Sequence, residues 1–500
     1  MKILLVNPAS RIPIDDKRER YFIKAGSRWP WSYIKDKKSV NKCCFFPFFL
    51  AYTANVLRQD NHEVSVIDGV AMDMKEADFL RRVKDLQSEL IVLETATHSI
   101  KLDLDLCIKI KKLLPKIKIL FCGAHATVCA HELLNENQFI DFITLGEYEL
   151  TIRELVRRLV AEQKDLRMEG LGYRTGNDVW VSEVNGFIKD INVLPMPAFD
   201  LFPANDTPKL SIYNDGICTY FPSVTLHSSR GCPFKCDFCM WNQIMYGNGH
   251  YRMFDPLRVV DEMELVINKF GAREIYFDDD DFCVNKKHVL NICSEIKKRK
   301  LDIKWSCMGD AMVTDEEMIK AMAGSGCIFM KFGVESGSTE ILKNIGKPLK
   351  PERAIQVAKW CKQYGMYSHA TFSFGLDGET EKTMRQTLEL ANRIPFDYAQ
   401  VSITTPFPGT RYFTKLFEKG WLKTNGWEFF DGTSSCVFDT PDLSASQIQD
   451  FRKIAIRSMV IHKVLDPIWL WRFMRRNMIL MRSRGISSVL EPIRSFFGLF

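Results

Sequence analysis

No uncharged apolar run approaches the ~18 residues that a membrane-crossing helix needs, so no spanning segment is expected. The opening stretch Met1-Lys-Ile-Leu-Leu-Val-Asn-Pro lacks the apolar core and cleavage site of a secretory leader, and reads as a short strand stopped by proline. Without a leader, fifteen cysteines point to a reducing, cytoplasmic setting rather than to a disulfide framework. Histidine is scarce, at nine residues, and none falls in the loop Asn7-Pro-Ala-Ser-Arg-Ile-Pro13 that follows the first strand. Acidic residues are rare at the carboxyl end. Residues 451–500 hold two Lys and eight Arg against Asp466 and Glu491, a net +8, so the first 450 carry −2 of the total +6. The remaining composition, 46% hydrophobic and 26% charged, is ordinary for a folded soluble protein. A chain of 500 residues exceeds one core and suggests several domains.

From residue 1 to 160, short apolar strands alternate with helical patterns, which argues for a parallel sheet with helices on both faces. Strands are expected at Lys2–Asn7, Glu63–Asp68, Leu90–Glu94, Ile117–Cys122 and Phe142–Leu145. Helices are expected at Pro47–Gln59, Glu76–Leu86, Leu102–Leu114 and Glu147–Val160. Ligands of such sheets sit beyond the carboxyl ends of the strands. Asn7–Ser10, Thr95–His98, Gly123–Thr127 and Gly146–Glu147 fall there. Residues 161–222 read as a linker, with a hairpin around Thr175-Gly-Asn-Asp178 and a proline-rich run from Leu194 to Pro203. From 223 to 410 a strand–helix period repeats about six times, beginning at Val224–Ser228 and ending at Tyr398–Ile403. Six such units suit a partial barrel with its chemistry at the carboxyl ends of the strands. The expected fold class is therefore α/β: a Rossmann-like (flavodoxin-like) parallel-sheet domain over 1–160, a partial (βα)6 TIM-like barrel over 223–410, and a helical segment over 411–500.

The loop leaving the first barrel strand carries Arg230-Gly-Cys232-Pro-Phe-Lys-Cys236-Asp-Phe-Cys239. Three thiols so spaced can converge on one iron–sulfur cube and leave its fourth iron free to hold something else. Zinc would need a fourth ligand, and no further Cys-x-x-Cys or His pair stands nearby. The other twelve cysteines suit small buried core positions. Four acids, Asp278 to Asp281, end the second barrel strand, with a solvated loop as the competing reading. His227, His250 and Tyr276 lie near the barrel mouth by sequence, and none is assigned a proton transfer.

The cysteine run, with Phe238 before its last thiol, resembles that of the radical S-adenosylmethionine (SAM) enzymes. The resemblance implies that Cys232, Cys236 and Cys239 hold a [4Fe-4S] cluster whose open iron chelates SAM, and that an electron from it releases a 5′-deoxyadenosyl radical. By position, Asp279 and Asp280 match the family element that contacts the ammonium of SAM. Gly333-Val-Glu335-Ser-Gly337 resembles the SAM-contacting segment, and Phe374-Gly375-Leu-Asp-Gly378-Glu379 matches a glycine loop. The amino-terminal half resembles the cobalamin-binding domain found before many such barrels, through Pro47…Tyr52, Gly123-Ala-His125-Ala-Thr127 and Leu145-Gly146-Glu147. That implies cobalamin along Thr95, Thr97, Gly123, His125 and Gly146. Family members with a histidine under the cobalt carry it in an Asp-x-His-x-x-Gly loop after the first strand. This chain has none there, so no histidine ligand from that loop is expected. A flavodoxin-like domain without a cofactor is the alternative.

Together these resemblances imply a cobalamin-dependent methyltransferase acting on an unactivated carbon, fed by a reductant protein such as flavodoxin or ferredoxin. A radical cyclase or rearrangement enzyme without methyl transfer is the rival, and a non-catalytic iron–sulfur sensor is the rival of another class. In Pro467–Leu480, Trp469 and Trp471 stand among Arg472, Arg475 and Arg476, which suits a helix lying on an anionic membrane surface. A helix packed on the protein is the alternative. The tail resembles the subgroup that includes the anaerobic magnesium-protoporphyrin cyclase and hopanoid-type enzymes, which implies a large apolar substrate. No nucleic-acid partner is expected, because no recognised binding module accompanies the basic tail.

Overall fold

Burial on both faces makes the central strands of the amino-terminal sheet continuous apolar runs: Ile3–Val6 and Leu90–Leu93 are all buried. The computed structural model describes residues 1–26, 31–37, 44–176, 178–202, 213, 216–424, 426–432 and 435–484. Five strands pair in parallel in the spatial order Glu63–Asp68, Lys2–Asn7, Leu90–Glu94, Lys118–Cys122, Phe142–Thr144. That is the flavodoxin-like order, whose switch point lies between Lys2–Asn7 and Leu90–Glu94. The hairpin Leu171–Thr175 and Asp178–Val181 adds two antiparallel strands beyond Phe142–Thr144. The amino-terminal sheet therefore extends to Val181 rather than stopping at residue 160. Turn chemistry made the hairpin readable, but not the edge it joins.

A second difference lies just after the first strand. Ser10–Pro13, Arg18–Ile23 and Trp31–Asp36 form a three-stranded antiparallel meander where no regular element was expected. Its charges obscure its pattern, because they turn inward in pairs. Lys24 is buried against Asp103, and Lys35 lies 3.6 Å from Glu19 and 3.4 Å from Asp73.

Six parallel strands form the second sheet, each beside its neighbour in chain order: Ser223–Leu226, Glu274–Phe277, Lys304–Gly309, Cys327–Glu335, Tyr367–Phe374 and Tyr398–Ile403. The first and last strands do not pair, so the barrel is partial. Its helices follow from ordinary signals. Pro256–Phe270 starts at the Asp255 cap with proline in its first turn and buries Val259, Val260, Met263, Val266 and Phe270. Gly271, at φ +65°, ends it. One apolar core runs through both sheets, from Ile3 to Met459.

Two helices close the described chain. Ala445–Val464 begins at a Ser444/Gln447 capping box and packs on the last barrel strand. Pro467–Arg484 crosses the amino-terminal end of the barrel. Arg472 Nη2 reaches Asp397 Oδ2 at 3.0 Å, and its guanidinium lies 4.6 Å from the Tyr367 ring. Arg476 is buried, donating to Thr219 Oγ1 at 2.9 Å and lying 4.5 Å from the Tyr398 ring. Trp469 Nε1 donates to Asp397 O at 2.7 Å. Two of the three arginines expected to face an anionic surface thus turn inward, while Ile468, Trp471, Met474 and Met478 face outward.

Candidate functional site

The cysteine loop hangs between two short strands, Ser229–Gly231 and Tyr251–Met253, which pair antiparallel. Gly231 has φ +83°, and a Cβ there would collide with the carbonyl oxygen of His250, so only glycine fits. Its N–H donates to Asp280 Oδ2 at 2.9 Å, and Asp237 N–H donates to Ile345 O at 3.0 Å. Gln243, in a single π-helical turn behind the loop, donates to the carbonyls of Cys236, Asp237 and Cys239 at 3.1, 2.9 and 3.0 Å. One side-chain amide therefore holds the loop in shape.

Cys232, Cys236 and Cys239 line a cavity of about 250 Å3 at the carboxyl end of the barrel, together with Phe238, Asp280 and Glu335. Among the described residues, no three His, Cys, Asp or Glu side chains close on a single metal ion. Three thiols on one wall suit a multi-iron cluster with one iron left open. Burial pushes the free Cys236 thiol up to about 12, so the thiolate that a metal needs forms with binding.

Near Cys236 lies a buried charge cluster of which the sequence reading named only Glu335. Lys347 Nζ lies 2.9 Å from Asp310 Oδ2 and 3.5 Å from Glu335 Oε1, and Ser373 Oγ donates to Glu335 Oε2 at 3.3 Å. Burial raises the pKa of Glu335 while Lys347 opposes the rise. For Lys347, burial works against the charge, and Asp310 and Glu335 overcome it, holding the pKa well above its usual value. Glu335 stands at φ +65°, beside a register shift in its strand. A non-glycine residue so placed stores strain of the kind found at functional sites. Asp310 ends a barrel strand, a position that could have flagged it. Lys347 arrives from a turn with no such signal.

Three expected SAM contacts lie elsewhere. Asp279 accepts from Ser228 N–H and Oγ, at 3.1 and 2.8 Å, and from Ser229 Oγ, so it braces the strand end below the cavity. Gly375 and Gly378 are absent from the lining. Gly375 packs beside Phe438 and Ile448, and Glu379 accepts its N–H at 2.6 Å.

The residues expected to meet cobalamin gather along the carboxyl edge of the amino-terminal sheet. Thr95 Oγ1 donates to Asp103 Oδ2 at 2.7 Å, and Asp103 is also paired with Lys24. Thr97 Oγ1 lies 3.2 Å from His125 Nδ1. Burial lowers His125 and His98 to about 4, so both are neutral. Gly123, at φ +100°, would drive a Cβ to 2.7 Å from Thr95 O. Gly146 N–H donates to Thr127 Oγ1 at 3.0 Å. Thr144 Oγ1, buried at the same edge, has no partner among the described residues, which fits a ligand with hydrogen-bonding groups. From Pro8 to Asn61, the stretch that follows the first strand, the sequence has no histidine.

The carboxyl edges of the two sheets face each other. Arg230 Nη1 lies 3.0 Å from Glu147 and its Nη2 lies 2.6 Å from Glu149, with all three side chains fully buried. Arg252 Nη1 reaches Glu147 at 2.5 Å. The Arg230 guanidinium also sits 4.7 Å from the Phe49 ring and 5.0 Å from that of Tyr52. His227 is stacked on Phe48 at 4.1 Å and Phe49 on Trp241 at 5.2 Å, so His227 belongs to the packing between the two halves.

Residues 226–391 match the radical SAM superfamily, and residues 42–156 match the B12 binding domain. An uncharacterized methyltransferase of Pyrococcus horikoshii is 32% identical over 421 residues, covering 84% of this chain and 89% of that protein. The anaerobic magnesium-protoporphyrin IX monomethyl ester cyclase of Cereibacter sphaeroides is 25% identical, over 74% of this chain and 60% of that protein. Among solved structures, the radical SAM methyltransferase TsrM from Kitasatospora setae, with cobalamin and a [4Fe-4S] cluster bound, shares the fold. Its TM-score is 0.67 at 15% identity, over 93% of this chain and 89% of that one. The chain belongs to the radical SAM enzymes that carry a B12-binding domain, whose cofactors are a [4Fe-4S] cluster, SAM and cobalamin.

Proposed function

We propose that this protein transfers a methyl group from cobalamin to an unactivated carbon of its substrate. The observation that supports the reading is the meeting of two carboxyl edges across Arg230, Glu147 and Glu149, which brings the edge proposed for cobalamin up to the one proposed for the cluster and SAM. When bound, the cluster and SAM supply a 5′-deoxyadenosyl radical and cobalamin supplies the methyl group. The chain's own residues position these groups. Cys232, Cys236 and Cys239 hold the cluster, and Gln243 fixes their loop. Glu335 and Asp280 offer carboxylate oxygens to the three donors of the SAM ammonium, and Lys347 opposes the burial that raises the Glu335 pKa and holds the side chain in place. Phe238 and Met312 keep water from the cavity. Thr95, Thr97, Gly123, His125 and Gly146 shape the place for cobalamin. The electron comes from a one-electron donor such as flavodoxin or ferredoxin.

Anaerobic incubation of reconstituted protein with SAM, cobalamin and a reductant tests the reading. Both S-adenosylhomocysteine, from methyl loading, and 5′-deoxyadenosine are expected. Deoxyadenosine alone, with no corrinoid retained, would favour cyclisation or rearrangement, the chemistry of the cyclase relative. Deoxyadenosine formed by a Cys232→Ala/Cys236→Ala/Cys239→Ala variant would sink the radical assignment.

Peripheral membrane contact is the finer reading of the carboxyl-terminal helix. Its support is the outward stripe Ile468, Trp471, Met474 and Met478, with Arg475 alongside at 5.5 Å from the Trp471 ring. Among the described residues no helix is long and apolar enough to cross a membrane. Co-sedimentation with anionic vesicles is expected, and Met474→Gln/Met478→Gln should reduce it. No binding at low salt would leave the stripe to another partner.

A further inference from the structure

The last barrel strand, Tyr398–Ile403, borders a second cavity of about 810 Å3, walled on its other sides by the helices Ala445–Val464 and Pro467–Arg484. The volume lies within the range of small-molecule sites. Its walls are largely apolar, built from side chains such as Phe396, Met459, Val460 and Phe473. Val464 and Leu470 line it and are also exposed, so it opens on the apolar surface of the two helices.

Its few polar groups point to what it takes. Gln400 lines both this cavity and the reaction cavity, and is held by Lys331 Nζ and Ser402 Oγ, each at 3.1 Å. His369 lines the apolar cavity, while Thr371, two residues on along the same face of the strand, lines the reaction cavity. Among the described residues the buried Nε2 of His369 has no partner, and burial holds the ring neutral. Two cations complete the lining. Lys463 Nζ donates to Ile394 O at 2.7 Å, and Arg452 Nε donates to Val401 O at 2.8 Å. Among the described residues neither is ion-paired with a carboxylate; Asp397 beside them is taken by Arg472. Asp397 and Asp466 favour the charge of Lys463 from beyond ion-pair distance while burial opposes it, so an anion brought against its ammonium at this apolar wall stabilises it further.

We propose that this cavity holds the body of the substrate, an apolar molecule bearing an anionic group that rests against Lys463, and that its reacting end passes beside Gln400 into the reaction cavity. The inference rests on the reading of the reaction cavity as the place where the radical forms. The apolar mouth admits a molecule of low water solubility, and His369 offers one hydrogen bond to a hydroxyl or carbonyl along its length.

Binding of cis-parinaric acid, a fluorescent eighteen-carbon carboxylic acid, and of its methyl ester to the cluster-loaded protein tests this. One acid per chain is expected to bind saturably. Val460→Trp, which fills the cavity from a partly exposed position, should abolish binding of both probes. Lys463→Gln should weaken the acid at least tenfold and leave the ester unchanged. Iron content and melting temperature like the wild type would show that both variants fold. Absence of saturable binding, binding indifferent to Val460→Trp, or equal weakening of acid and ester by Lys463→Gln would each overturn the proposal. Failure of the wild type to make deoxyadenosine, with probe binding intact, would instead overturn the reading of the reaction cavity.

Discussion

The guanidinium of Arg230 lies 2.6 Å from a carboxylate oxygen of Glu149, a residue 81 positions earlier that opens the helix Glu149–Val160 of the amino-terminal half, and neither side chain touches solvent. Burial raises the pKa of Glu149 and Arg230 opposes the rise, while Glu149 and Glu147 hold Arg230 charged against the cost of its own burial. Removing one partner of such a cluster strands the others. Arg230→Met is therefore expected to cost about 3–5 kcal/mol, and Arg230→Met/Glu149→Gln less than the single change. Urea unfolding of the protein without cofactors measures both. A loss below about 1 kcal/mol would place the pair among interactions that contribute little.

Glu335 is the residue through which SAM affinity should be most sensitive. A buried, charge-assisted hydrogen bond contributes about 1.5–3 kcal/mol, or roughly tenfold to a hundredfold in affinity. Glu335→Ala should weaken SAM by that factor without changing iron content, read by equilibrium dialysis against labelled SAM. Lys347→Met should act in the same direction through the ion pair it removes. Undiminished SAM affinity in Glu335→Ala would assign the strained residue to the architecture of its strand.

Glu379 gives a pH signature. Burial raises its pKa from 4.5 to about 8, although Gly375 N–H and Leu376 N–H both donate to it, at 2.6 and 3.3 Å. The folded state holds this proton more tightly than the unfolded state. Its contribution therefore falls as pH rises from about 4.5, and the deficit is complete above about 8. Glu379→Gln should raise the melting temperature relative to the wild type at pH 8.5 and change it little at pH 5. The same difference at both pH values would contradict the assignment.

Cobalamin is expected to bind with no histidine on its lower face. The first histidine of the chain is His62, and the segment that leaves the first strand folds into the meander of Ser10–Pro13, Arg18–Ile23 and Trp31–Asp36. Purified protein given cobalamin should retain it through gel filtration. Reduced to the cobalt(II) state, it should give an electron paramagnetic resonance spectrum without axial nitrogen splitting. Retained cobalamin with that splitting would require an imidazole or the nucleotide base on the cobalt.

Both parallel sheets were legible in the sequence because burial on two faces writes their strands as unbroken apolar runs, Leu90–Leu93 and Ile275–Phe277 among them. The cysteine loop was legible because its spacing is local. What escaped depends on distant pairing. Nothing local in the sequence marks Lys24, Glu19 and Lys35 for the interior, yet they are buried where the meander meets the sheet. Lys347 meets Asp310 across 37 positions, which no local pattern announces. The carboxyl-terminal helix shows a further limit. Arg472 and Arg476, one turn apart, mark one face of the helix, and only the packed structure tells that this is the inner face.

The bond from Arg476 to Thr219 spans 257 positions. At about 5–20 residues per second, a ribosome needs roughly 10–50 s to cover such an interval. Phe329, Tyr367 and Tyr398 emerge in turn during it, and each stays at the barrel base without the helix that later covers it. The newborn chain thus passes through a prolonged interval with aromatic surface in water, when capture by a chaperone competes with self-association. Translation stopped just before Pro467 would deliver every residue that lines the reaction cavity and none of the helix that covers the opposite end of the barrel. The injury would show first as loss of soluble protein during synthesis, before any assay of chemistry could register it.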